Sequence, residues 1–135
     1  MNRGTIALLL SVFLVTNSFA ETGSQSVRRH FGIDEKIKLD RETIKHAVLT
    51  IVPLGSTVEE VVKALAKRGM AHPAWPAYPA PDHVCMPGDD TPVYCDFRTP
   101  KQDKKRSKEP NWTVDFTFDQ NNKLRDIVVQ SWTYD

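Results

Sequence analysis

Apolar side chains recur at Ile44, Ala47, Val48 and Ile51, the three-and-four spacing of one helix face. Asp40 stands where an N-cap accepts from the free amides of a first turn, so a helix is expected from Asp40 to Ile51. A short strand over Leu49 to Val52 is the alternative for its β-branched tail, and Pro53 stops either element. Ser56-Thr57-Val58-Glu59 has the spacing of a capping box, in which a hydroxyl and a carboxylate satisfy each other's backbone amides. Val58, Val61, Val62 and Leu65 follow at helical spacing, Lys67 and Arg68 sit at the negative end of the dipole, and Gly69 offers a left-handed exit. A second helix is expected there.

Met70 to Pro81 carries prolines at 73, 76, 79 and 81 around Trp75 and Tyr78, which excludes helix and central strand and predicts a stiff, extended connection. Beyond it the period changes to two. Trp112, Val114, Phe116 and Phe118 alternate with Thr113, Asp115 and Thr117, the pattern of a half-buried strand, and Asp119 to Asn122 reads as a turn. Leu124 to Tyr134 returns as a last strand, but Leu124, Val128 and Trp132 lie on one side of it and Ile127 and Val129 on the other, which a bulge would reconcile.

Cys85 and Cys95 are the only cysteines. Met86 to Pro92 between them is dense in turn residues, so Val84 to Met86 and Val93 to Arg98 are expected to run antiparallel with the sulfurs facing. A structural disulfide is the expectation. A redox pair is disfavoured because catalytic thiols usually stand two residues apart at a helix start. A zinc site from His72, His83, Cys85 and Cys95 matches no familiar spacing. Two helices followed by four strands in two hairpins give an α+β class, with both helices packed on one face of a four-stranded antiparallel sheet.

The N-terminus reads differently. Arg3 supplies a positive start, Thr5 to Val15 is an apolar run, and Ser18-Phe19-Ala20 offers small residues at the positions a signal peptidase inspects. Residues 1–20 are therefore expected to be a removable signal peptide, and the run is too short and interrupted to be a membrane anchor. Glu21 to Leu39 lacks periodicity and is expected to be a flexible leader, which leaves 40–135 as a single domain. Export to an oxidising compartment, periplasmic or secreted, agrees with the disulfide.

Charge narrows the partners. There are 18 Lys and Arg against 17 Asp and Glu, and removing residues 1–20 takes away Arg3 and no acid, so the mature chain is formally neutral. A nucleic-acid partner is not expected without a basic excess, nor is stable membrane insertion after signal removal. Catalytic, metal and cofactor residues are assigned to none. His30, His46, His72 and His83 have no metal-protease spacing, and no phosphate-cradling glycine loop or nucleophile elbow is present. The acid pairs Glu59-Glu60 and Asp89-Asp90 read as a dipole complement and a solvated loop.

Leu54-Gly-Ser-Thr-Val-Glu-Glu-Val-Val-Lys-Ala-Leu65, followed by the strand pair Val114 to Asp119 and Leu124 to Val129, resembles the small periplasmic domains of the outer-membrane assembly lipoprotein and β-lactamase-inhibitor-like group. The resemblance spans roughly 40–135. It implies a meander of antiparallel strands on a helix pair and a non-catalytic role in binding another protein. Gly55, Ser56, Thr57, Val61 and Leu65 carry over as structural positions, and no binding residue transfers. The chain lacks the lipid-bearing cysteine of the lipoproteins and has one copy of the unit where the inhibitors have two.

Two surfaces are candidates for binding. Trp75 and Tyr78, on a proline-stiffened loop, would lose little entropy on docking, against the competing reading that the loop folds over the sheet and buries them. Lys104, Lys105 and Arg106, in the basic link from Lys101 to Glu109, would steer an acidic partner, lipid head group or envelope polymer, against the competing reading of a solvated hairpin link. The expectation is a monomer that binds another envelope or secreted protein as an inhibitor, an immunity-type neutraliser or an assembly accessory. The alternative is a small envelope hydrolase in which the fold joins His72 or His83 to Asp82, Asp89 or Asp96.

Overall fold

The computed structural model describes residues 21–75, 77–78 and 82–135. The expected signal peptide lies outside the described residues. Three helices, α1 (Gly23–Phe31), α2 (Arg41–Ile51) and α3 (Val58–Lys67), precede four strands, β1 (Cys85–Met86), β2 (Val93–Phe97), β3 (Asn111–Phe118) and β4 (Leu124–Trp132). The strands form one antiparallel sheet in the order β1-β2-β3-β4. The α+β class stands; among the described residues there are three helices where two were expected.

The third helix corrects the expectation of a flexible leader. Thr22 and Gln25 form a capping box, each side chain accepting from the other's backbone amide, and Gly32 closes the helix in the left-handed region at φ 66°. Val27, Phe31 and Ile33 are buried in the core. Trp112 Nε1 donates to Ser24 Oγ at 3.0 Å, and Arg68 Nη1 donates to the His30 carbonyl at 3.0 Å, so both ends of α1 are tied to distant chain. The segment looks weak in sequence because much of its holding is tertiary.

In α2, Asp40 caps as expected, accepting from the Thr43 amide at 2.8 Å, and Ile44 and Val48 are buried. The α3 capping box is displaced by one residue from the sequence reading, with Thr57 as cap and Glu60 as its partner. The cause lies in the sheet. Gly55 N donates to Leu124 O and Leu124 N donates to Ser56 O, at 2.8 and 2.7 Å, which keeps Ser56 outside the helix. Its hydroxyl donates instead to the Pro53 carbonyl at 2.6 Å. Gly69 takes φ 75°, the expected exit.

Strand register fixes which side chains share a face. Val93 lies opposite Phe116, Cys95 opposite Val114 and Phe97 opposite Trp112, while Val114 and Phe116 face Val129 and Ile127. All are buried and join Val27, Ile44, Val48, Val61, Val62 and Leu65 in one cluster. α1 contacts β2 and β3, and α2 contacts β4. The two-sided pattern of the last strand is resolved by a bulge: Thr117 pairs with Asp126 and Phe118 with Leu124, leaving Arg125 as the extra residue. Leu124, Ile127 and Val129 therefore share the buried side, whereas Val128 is exposed. No helix among the described residues is long and apolar enough to cross a membrane.

Candidate functional site

The cysteine expectation is met. Cys85 and Cys95 are direct partners across β1 and β2, form a disulfide and are fully buried. Bridged sulfurs are not available to a metal, and no cluster of three or more metal-ligating side chains occurs among the described residues.

The aromatic pair on the proline segment is split. Trp75 is 5% exposed and belongs to the core, which corrects its expected role as an exposed anchor. It lines a depression with Val62, Ala66 and Pro73 at the flank of α3. Tyr78 is 58% exposed, with its ring 5.4 Å from that of His72. The basic link is folded rather than loose: Asp103 N donates to Pro100 O, and Arg106 and Ser107 amides donate to Asp103 O. Lys104 and Lys105 are exposed, but Arg106 is half-buried and paired with Asp103, whose carboxyl this holds below its ordinary range.

A different group of residues comes together where the strands alternate away from the core. Met86 faces Tyr94, Tyr94 faces Asp115, Asp96 faces Thr113, Asp115 faces Val128 and Thr113 faces Gln130. At the end of this surface Arg98 lies 5.0 Å over the Trp132 ring, Trp132 meets Tyr134 edge-on at 5.2 Å, and Lys101 stands 6.0 Å from the Tyr134 ring. The Tyr134 hydroxyl donates to Thr99 O at 2.7 Å, anchoring the ladder. Cation–π pairs of this kind favour Arg on indole.

Two shallow depressions mark the same surface. One is lined by Asp82, His83, Val84, Met86, Tyr94, Asp96 and Arg98. Arg98 Nε donates to Asp96 Oδ2 at 2.7 Å, while Asp96 Oδ1 and His83 Nδ1 are buried without a partner. The other is lined by the loop Pro87 to Thr91 with Tyr94 and Asp115. Burial holds the Asp115 carboxyl above its ordinary value. Among these residues the sequence marks Asp82, His83, Asp89 and Asp96 as candidate members of a hydrolase site, whereas Tyr94, Arg98, Trp132 and Tyr134 carry no motif. The off-phase positions of an alternating strand were the available signal.

Chemically this surface offers hydrogen-bond acceptors, one guanidinium and flat aromatic faces. It has no cysteine thiol and no serine in either depression; Thr91, the one hydroxyl of its kind there, is committed as a donor to Phe116 O at 2.6 Å. Comparison with known proteins gives no match: no family model, no curated protein and no solved structure is significantly similar to this chain.

Proposed function

We propose that this chain is an exported, monomeric protein-binding domain without catalysis, in which the helices pack on one face of the sheet and the opposite face meets another envelope or secreted protein. Inhibition, immunity-type neutralisation and assembly accessory work are the roles that a binding face of this kind serves. The resemblance to the assembly lipoprotein and β-lactamase-inhibitor-like group belongs to the same proposal. The disulfide fits an oxidising compartment.

The observation that carries the reading is the ladder of Arg98, Trp132, Tyr134 and Lys101 beside Tyr94 on the side away from the core. Tyr, Trp and Arg are the side chains that dominate binding energy at interfaces. Affinity purification of the full chain from envelope extract tests it. A stoichiometric protein complex is expected with the native chain and lost in Arg98→Ala/Trp132→Ala at an unchanged circular dichroism spectrum. Equal retention by both chains counts against the reading.

One observation favours the hydrolase reading: His83 lines a depression together with Asp82 and Asp96. Against it, His83 Nδ1 is buried without a hydrogen-bond partner, and a base needs a group that orients it. Turnover of ester, amide or glycoside substrates that disappears in His83→Ala would replace the binding proposal.

A further inference from the structure

The sheet has two edges, and the fold closes one of them. β1 is only two residues long, and its outer side is taken by the Cys85 amide donating to Met70 O at 3.0 Å. β4, nine residues long, is the opposite edge. Its beginning is covered as well: Leu124 bonds to Gly55 and Ser56, and Lys45 of α2 pairs with Asp126 at 3.0 Å. The rest of the edge has no such cover among the described residues.

Register decides which backbone groups are left there. Asp96 N donates to Val84 O, so Asp96 turns its amide and carbonyl toward β1, and Val93, Cys95 and Phe97 turn theirs toward β3. Their partners Phe116, Val114 and Trp112 therefore bond to β2, which leaves Thr113, Asp115 and Thr117 to bond to Gln130, Val128 and Asp126 of β4. Ile127, Val129 and Ser131 accordingly direct their amides and carbonyls away from the sheet. Leu124 also points outward because the bulge at Arg125 shifts the alternation by one, in agreement with its bonds to Gly55 and Ser56. Among the described residues, no backbone partner meets Ile127, Val129 or Ser131 on that side.

These unmet groups recur every second residue, about 7 Å apart, which is the repeat of an extended polypeptide. Ile127-Val-Val-Gln-Ser-Trp132 has no charge and no proline, two of the devices that keep an edge from pairing. Val128, on the face away from the core, is 40% exposed, and Trp132 at the end of the run carries Arg98 over its ring. The open edge is thus continuous with the aromatic and cationic ladder.

Resting on the protein-binding reading above, we propose that the partner adds an extended strand to the outer edge of β4 between Ile127 and Ser131. Its main chain exchanges hydrogen bonds with Ile127, Val129 and Ser131, which supplies affinity, while side chains on the open face supply specificity. Val128 and Trp132 occupy the positions where facing side chains come closest, so the segment turns β-branched or aromatic residues toward them. The cover at Leu124 sets the limit of the added strand.

The test follows backbone amides of the purified chain, its disulfide intact, by hydrogen exchange and chemical shift. In the chain alone, Val129 and Ser131 should exchange fast and Val128 and Gln130 slowly. The blocked hexapeptide Thr-Val-Thr-Val-Thr-Val should shift and protect Val129 and Ser131, whereas the same peptide N-methylated at alternate residues should not. Ser131 is exposed and its amide points outward, so Ser131→Pro removes a donor without breaking a bond to β3 and should weaken peptide binding about tenfold. The proposal is overturned if Val129 and Ser131 are already protected in the chain alone, or become so as chain concentration rises, which would make a second copy the occupant. It is also overturned if both peptides act alike, if neither shifts these amides, or if Ser131→Pro binds as the native chain does. A partner captured from envelope extract by native chain and Ser131→Pro alike, but lost in Arg98→Ala/Trp132→Ala, leaves protein binding standing and removes strand addition.

Discussion

The amide of Gly23 donates to the Thr99 hydroxyl at 2.9 Å across 76 residues of sequence. Thr99 is fully buried and satisfied on every side: its own amide donates to Asn111 Oδ1 at 2.7 Å, and its carbonyl accepts from Tyr134. One threonine therefore joins the start of α1, the link after β2, the start of β3 and the C-terminal tail. This junction turns Glu21 to Phe31 from a leader into part of the domain.

Gly23→Ala should destabilise the fold by about 1–3 kcal/mol, the usual cost of forcing extra atoms into packed surroundings. A Cβ at this position would lie 2.5 Å from the Phe97 carbonyl oxygen and 3.2 Å from that of Pro110, and backbone atoms cannot swing aside. Urea denaturation measures the change. An unaltered midpoint would mean that α1 does not dock as described.

His30 should impose a pH dependence on stability. Burial is the largest influence on its imidazole and holds the pKa below the ordinary 6.5, outweighing the bond from the ring to Ser26 O at 2.8 Å. The unfolded chain then binds the proton more readily than the folded one. Stability is therefore complete above about pH 6.5 and declines as pH falls through that value towards the lower folded pKa. Thermal melts between pH 8 and 5 should show the decline, and His30→Gln should flatten it.

Opening the Cys85–Cys95 bridge should cost about 2–3 kcal/mol, because a closed loop of this length restricts the unfolded chain. Thiol titration of the denatured, unreduced protein should find no free sulfhydryl. A lower urea midpoint is expected after reduction or in Cys85→Ala/Cys95→Ala.

Thr57→Ala should lose about 1 kcal/mol, whereas Ser56→Ala should lose much less. The Thr57 hydroxyl accepts from the Glu60 amide at 3.1 Å, and the Ser56 hydroxyl only turns back to Pro53. Chemical denaturation of the two variants distinguishes the observed cap from the one expected a residue earlier. The opposite ranking would restore the earlier register.

Trp75→Ala should cost about 3–5 kcal/mol by emptying a core position. Tyr78→Ala, at an exposed site, should stay within about 0.5 kcal/mol of the native chain. Calorimetry of the pair reads directly whether the proline segment presents aromatic side chains or buries them.

The sequence by itself determined the elements whose forces are local. Helical spacing with a cap marked α2 and α3, alternation marked β3, and turn residues between Cys85 and Cys95 marked the bridged hairpin. These signals depend on neighbours a few residues apart, so periodicity carries them. α1 was harder, although Thr22 and Gln25 spell a capping box, because its apolar stripe is short and its ends are held by Thr99, Trp112 and Arg68. The bulge at Arg125 and the extended pairing of Ser56 with Leu124 also belong to the sheet, not to any window of the chain. So does the surface that brings His83, Tyr94, Asp96, Arg98, Asp115 and Trp132 together. Strand register assembles it, and register is set by what the opposite face buries, which is why only the tertiary structure could decide it.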